Sequence, residues 1–279
     1  MQTILRSMVL FSLALTLLVF GCKNSGTDPQ EDGIKVLVVS NFPEMNAWID
    51  TNFTANMEGV QIIVLDVEQD TVDTEDLQGI NVVLLFEDGI FSQSTLVGNL
   101  LYQYVMSGGN LVIGTFYWQD HTGSGFGGSW GDLEMIHPLF RGSCDYRTES
   151  LGTTLNHPLT AGLTSLKTYY RGGPDSLRNN ATAVAWWSDG DVLIAFNKPG
   201  GTITMVTTHP AENWWYEFRG SPDPVEGDFF KLWENALKWT AAQGNSAAQS
   251  KPVEAFKHNA NLSPTEVRTQ KPSGGGRDY

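Results

Sequence analysis

Cysteine is nearly absent. The chain has 279 residues and two cysteines, Cys22 and Cys144. If Cys22 is modified, no intramolecular disulfide can form, which excludes a disulfide-stapled fold. Basic residues are also scarce: 17 Lys and Arg stand against 31 Asp and Glu, a formal net charge of −14. Nucleic-acid binding needs clustered cations that displace counterions from phosphate, so that partner is excluded. The five histidines, His121, His137, His157, His209 and His258, include no i, i+4 pair and no Cys/His knuckle spacing. No metal or cofactor is therefore expected. A metal site joining Asp120, His121, His209 and Glu212 would need distant segments to converge. The glycines of "GSGFGG" (123–128) are followed by no lysine and no clear helix start, which argues against a phosphate loop. No internal repeat is present.

Long apolar runs are missing too, except at the N-terminus. Arg6 precedes "MVLFSLALTLLVFG", Met8 to Gly21. That run is shorter than the roughly 20 residues needed to span a bilayer, and no stop-transfer flank follows. It ends in "VFGC", Val19 to Cys22, with an aliphatic residue three before the cysteine and a small one just before it. This resembles the bacterial lipobox. The resemblance implies a signal peptide over 1–21, cleavage before Cys22 and diacylation of its sulfur. Lys23, where aspartate would favour inner-membrane retention, points to the outer membrane of the cell envelope. The other reading is an ordinary secretory signal with an incidental cysteine. Residues 22–33 are polar and read as a tether. Residues 244–279 are rich in polar residues, proline and glycine, and read as a disordered tail or a linker.

Between them lies one domain, 34–243. "KVLVVS", "VQIIVLDV" and "INVVLLFED" are aliphatic runs of strand length, as in sheets covered on both faces. Met45–Met57 and Ser94–Gly109 carry helical spacing, the second with a Ser cap, a Gly stop and a stripe of Leu96, Leu100, Tyr104 and Val105. "NLVIGTF" (110–116) is a fourth strand. Later come three short strands, 182–187, 192–197 and 201–209, separated by "SDGD" and "KPGG" turns, and a helix over 226–243 with an acidic first turn. "RGSCDYR" reads as a polar loop holding a semi-buried Cys144. The alternation predicts an α/β fold: a flavodoxin-like three-layer sandwich with a mostly parallel sheet and added antiparallel strands in the second half.

Three segments carry a family likeness. "YVMSGGNLVIG" is similar to the helix, Gly-Gly and strand that precede the nucleophile in class I glutamine amidotransferase-like domains. "HPLTAGLTSL" (157–166) and "GTITMVTTHPAE" followed by "FFKLWENALKW" resemble the ThuA-like branch of that superfamily. The resemblance implies a ligand crevice at the sheet's switch point. It also implies a Gly-x-Cys-x-Gly elbow after the fourth strand. Here the elbow reads Gly114-Thr115-Phe116-Tyr117-Trp118, so a phenyl ring stands where the thiol belongs and no catalytic residue is assigned. The branch's histidine near that place is missing as well. His209 matches the amidotransferase base, with Glu212 one residue farther on than in His-Pro-Glu.

Flat rings in predicted loops and strand ends, among polar neighbours, suit sugars. The candidate ligand-binding residues are Phe116, Tyr117, Trp118, Asp120, His121, His209, Glu212 and Trp214. The alternative is that the rings only pack the loops. Three functions compete: a non-catalytic binding or surface-assembly module with a carbohydrate or envelope-protein ligand, anchored to the membrane through Cys22; a hydrolase or other carbohydrate-active enzyme using His209 and Glu212; and a purely structural envelope component.

Overall fold

A computed structural model of the chain describes residues 33–66, 72–174 and 176–244. The expected signal peptide, Cys22, most of the tether, His258 and the tail beyond Gly244 lie outside the described residues.

β1 (Ile34–Ser40), α1 (Pro43–Asn56), β2 (Val60–Asp66), β3 (Val82–Leu85), α2 (Ser94–Met106) and β4 (Leu111–Ile113) form the first half. After two 3₁₀ turns the chain continues through β5 (Ser143–Thr154), β6 (Leu166–Gly173), β7 (Thr182–Trp187), β8 (Val192–Asn197) and β9 (Ile203–Val206). It closes with α3 (Glu212–Arg219), β10 (Glu226–Gly227) and α4 (Phe229–Ala242). All strands join one sheet in the order β10-β6-β5-β7-β8-β9-β4-β3-β1-β2. The pairs β2–β1, β1–β3, β3–β4 and β4–β9 are parallel, and the pairs from β9 through β8, β7, β5 and β6 to β10 are antiparallel. This is the flavodoxin-like sandwich with antiparallel strands added in the second half.

Strand residues alternate between the two faces, so each aliphatic run feeds two cores. Val36, Val38, Val82, Leu84, Val112 and Val206 pack with Phe53 of α1 and with Leu232, Trp233 and Leu237 of α4. Their neighbours Leu37, Val39, Val83, Leu85, Ile113 and Met205 pack with Val97, Leu101 and Val105 of α2. The buried stripe of α2 is therefore Val97, Leu101, Tyr104 and Val105. Leu96, expected in that stripe, is 43% exposed, because the helix is rotated by about one residue relative to the expected face. Ser94 is the first residue of α2 and makes no cap; Gln93 holds the cap position without a side-chain bond. The Gly-Gly stop is borne out in a different form. Gly108 has φ +100°, and a Cβ on Gly109 would enter the Tyr104 ring.

Two sequence expectations fail here. "RGSCDYR" is not a loop but the start of β5, whose polar, half-exposed face hides the strand's alternation. The acidic first turn assigned to the last helix belongs to no helix. Glu226 pairs in β10 with Lys167 of β6, and the Asp228 carboxylate accepts the Thr164 and Ser165 amides, so α4 starts at Phe229 with no acidic side chain in its first turn. Among the described residues, no helix is long and apolar enough to cross a membrane.

Candidate functional site

The chain leaves β1 toward β2 on one side and returns as β3 on the other. That is the switch point, and the carboxyl ends of β1, β3, β4 and β9 surround it. Ser40 and Asn41, Phe86 to Asp88, Thr115 to Asp120, and Thr208 to Glu212 converge there. The Thr115–Phe116 peptide bond is cis. Gly114 N donates to Leu85 O, Thr115 N to Thr208 O and Phe116 N to Glu87 O, which ties the turn after β4 to both flanking strands.

A ligand crevice is expected here; a packed aromatic plug is found. Phe116 is 1% exposed. Its ring lies 5.5 Å from Tyr146, 5.6 Å from Tyr170 and 5.4 Å from His209, measured between centroids. Trp118 covers Gly172 so closely that a Cβ there would sit 2.6 Å from its ring. Tyr117 stacks on Trp130 at 5.3 Å, and its carbonyl accepts the Trp130 indole N–H. Trp214 packs edge-on against Phe42, with the Arg219 guanidinium 5.4 Å from its ring centroid. All eight candidate residues are buried, at 9% exposure or less. The rings that read as a binding surface pack one another and the sheet end.

His209, Glu212 and Asp120 are committed to backbone bonds. His209 Nδ1 accepts the Ala211 amide at 3.1 Å, which puts the ring proton on Nε2. Nε2 is buried and has no hydrogen-bond partner. Burial lowers the pKa of His209 to about 3, so the imidazole is neutral and its free nitrogen is already protonated. A neutral Nε2–H cannot accept a proton from a nucleophile.

Glu212 Oε1 accepts the Tyr169 and Tyr170 amides, and Oε2 lies 3.0 Å from Thr208 Oγ1. Burial raises its pKa to about 8. The geometry agrees with a protonated acid. Thr208 has one hydroxyl proton and two neighbours in reach, Glu212 Oε2 and the Tyr170 carbonyl at 3.2 Å. If Glu212 donates to Thr208, then Thr208 donates to Tyr170 and every atom is satisfied.

Asp120 is separate from this pair. Its amide donates to Glu87 Oε1 at 3.1 Å, and its Oδ2 accepts the Phe91 amide. Burial, and then the neighbouring Asp120 carboxylate, hold Glu87 well above the usual carboxylate range. Burial raises Asp120 as well. The remaining oxygens, Glu87 Oε2 and Asp120 Oδ1, are buried without a hydrogen-bond partner. Glu87 carries no motif, and sequence reasoning missed it; the only signal was an acid at the end of an otherwise aliphatic strand.

His121 is turned away from His209. Its Nε2 meets His137 Nε2 at 3.3 Å and its Nδ1 lies 3.5 Å from Glu134. The site proposed across the crevice from Asp120, His121, His209 and Glu212 does not assemble, and among the described residues no group of three or more His, Cys, Asp or Glu side chains is arranged to hold a metal ion. Cys144 is half-buried in β5. Burial, followed by the charges of Glu87 and Asp145, pushes its thiol up and away from the reactive thiolate form.

Sequence comparison with protein families and with curated proteins finds no match. Solved structures do match. A proposed ThuA-like protein from Bacteroides uniformis is 14% identical, with a TM-score of 0.55 over 79% of this chain and 95% of that one. One cytoplasmic protein from Salmonella typhimurium is 15% identical, with a TM-score of 0.54 over 74% and 98%. Another cytoplasmic protein from the same organism is 12% identical, with a TM-score of 0.55 over 76% and 100%. At these identities the shared property is the fold.

Proposed function

We infer that the chain is a lipid-anchored bacterial envelope protein whose amidotransferase-like domain is non-catalytic and serves as a binding or surface-assembly module. One observation carries this reading. Each position that would do chemistry in an amidotransferase is either replaced or spent. Phe116 stands at the elbow as a buried ring. His209 presents a protonated Nε2 and has its other nitrogen bonded to the Ala211 amide. Glu212 braces the β6 backbone. Catalysis needs a nucleophile and a base within reach of a substrate, and neither is available at a sealed strand end.

The envelope assignment rests on the N-terminal segment: the short apolar run and "VFGC". Acyl chains on Cys22 would anchor the protein at about 0.8 kcal/mol per buried CH₂, and more than one chain makes that attachment stable. The hydrolase alternative has no observation in its favour, since His209 and Glu212 are fully buried and hold the loop after β9 in place. The test combines fractionation of wild type and Cys22→Ala with turnover assays on glutamine and glycosides. Membrane association lost in the variant, together with no turnover, supports the proposal. Unchanged fractionation removes the anchor, and turnover removes the non-catalytic reading.

A further inference from the structure

A cavity lies away from the switch point. It has a volume of about 590 Å³ and sits beside the carboxyl end of β8, which runs antiparallel to β9 and so ends opposite the aromatic plug. Its lining includes Arg178 and Lys198, Asn179, Asn180 and Asn197, and the exposed ring of Phe140; no acidic side chain contributes. In a chain with 31 acidic and 17 basic residues, a cavity with two cations and no carboxylate is a local reversal of charge.

Two of these residues are incomplete. Arg178 forms no ion pair among the described residues. One Nη donates to the Glu134 backbone carbonyl, and Nε has no partner. The nearby Glu134 carboxylate is taken by the Thr122 and Trp130 amides. The guanidinium instead lies 4.5 Å from the Phe140 ring centroid. Asn197 is 7% exposed; its Nδ2 donates to the Ile136 carbonyl at 2.7 Å, while Oδ1 has no hydrogen-bond partner. Buried polar atoms are ordinarily satisfied and half-buried cations ordinarily paired, so an unpaired guanidinium and an unpartnered amide oxygen beside one cavity indicate a missing ligand.

We propose that this cavity binds an anionic sugar: a carboxylated or phosphorylated monosaccharide unit whose acid group pairs with Arg178 and Lys198 and whose hydroxyls meet the asparagines. The acid group answers the unpaired cation. A hydroxyl donor answers Asn197 Oδ1, which an anion alone cannot satisfy. The Phe140 ring supplies an apolar face for the sugar's C–H surface. The proposal deepens the binding-module reading by naming a ligand, and it does not depend on the lipid anchor.

Titration calorimetry on the full-length chain in detergent tests it. The probes are methyl glucuronide, methyl galacturonide, N-acetylneuraminic acid and glucose 6-phosphate, with methyl glucoside and inorganic phosphate as neutral and sugar-free comparisons. At least one anionic sugar is expected to bind about tenfold or more tighter than methyl glucoside, the scale of one charge-assisted hydrogen bond. Arg178→Gln removes that preference, and so does Lys198→Gln in part; Lys198 is exposed, so its variant folds even if Arg178→Gln does not. Trp118→Ala, at the plug, leaves the preference intact. Equal binding of charged and neutral sugars overturns the proposal, as does binding of phosphate alone or no binding of any probe at millimolar concentration. Failure here with no turnover leaves the non-catalytic reading standing, whereas binding accompanied by turnover of the bound sugar removes that reading and keeps the site.

Discussion

Glu212 ties the stability of the domain to pH. Its carboxyl is fully buried, accepts two β6 amides, and has its pKa raised from 4.5 to about 8 by burial. The folded state therefore holds this proton where the unfolded chain has released it. The contribution is complete below about pH 4.5 and is lost as pH rises toward 8. One proton of difference gives a slope of about 1.4 kcal/mol per pH unit inside that window. Between pH 6 and pH 8 the wild type should lose about 2 kcal/mol through this group, because the slope halves as pH reaches the folded pKa. Glu212→Gln keeps an acceptor for the two amides and a donor for Thr208 but cannot ionise. Asp88, raised to about 6 by burial, and His209, lowered to about 3 by burial, titrate alike in both proteins and cancel in the comparison. Urea unfolding of wild type and Glu212→Gln at half-unit steps from pH 5 to 8.5 reads the effect. The variant should be within about 1 kcal/mol of wild type at pH 5 and more stable above pH 7. Parallel curves across the range would refute a buried, protonated Glu212.

Three further outcomes can be measured. Gly172→Ala puts a methyl 2.6 Å from the Trp118 ring and should cost about 1–3 kcal/mol in urea unfolding; a variant as stable as wild type would mean that the ring is not held there. The His209 side chain should show one neutral Nε2–H tautomer from pH 5 to 8 by nitrogen-15 NMR, because its Nδ1 is occupied by the Ala211 amide; a titration midpoint between 6 and 7 would contradict that. Cys22→Ala should move the protein from the membrane fraction to the soluble fraction, read by detergent-phase partitioning.

The sequence exposed the parallel half of the fold because its strands are covered on both faces. "VLVV" in β1 and "VVLL" in β3 are aliphatic throughout, so no register knowledge was needed to find them. β7 and β8 were legible through their "SDGD" turn and matched residue for residue. β5 was not, since its "SCDYRTESLGTT" mixes half-exposed positions on both faces and its bulges break the alternation. The plug was half legible. Phe116, Tyr117 and Trp118 marked the place, but the rings that close it, Tyr146 and Tyr170, come from the unrecognised β5–β6 hairpin. Whether an aromatic ring at a strand end faces solvent or another ring depends on such long-range pairing, which composition does not encode. The β8-end cavity lay outside every motif, because Arg178 and Asn197 are ordinary residues until the partners they lack are counted.

Ammonia release from glutamine by the purified full-length chain tests the central claim most directly. With Phe116 buried at the elbow and His209 already carrying its Nε2 proton, wild type should release none above the no-enzyme background, and Phe116→Ala and His209→Ala should match it. Release by wild type that falls in His209→Ala would contradict the non-catalytic reading of this strand end.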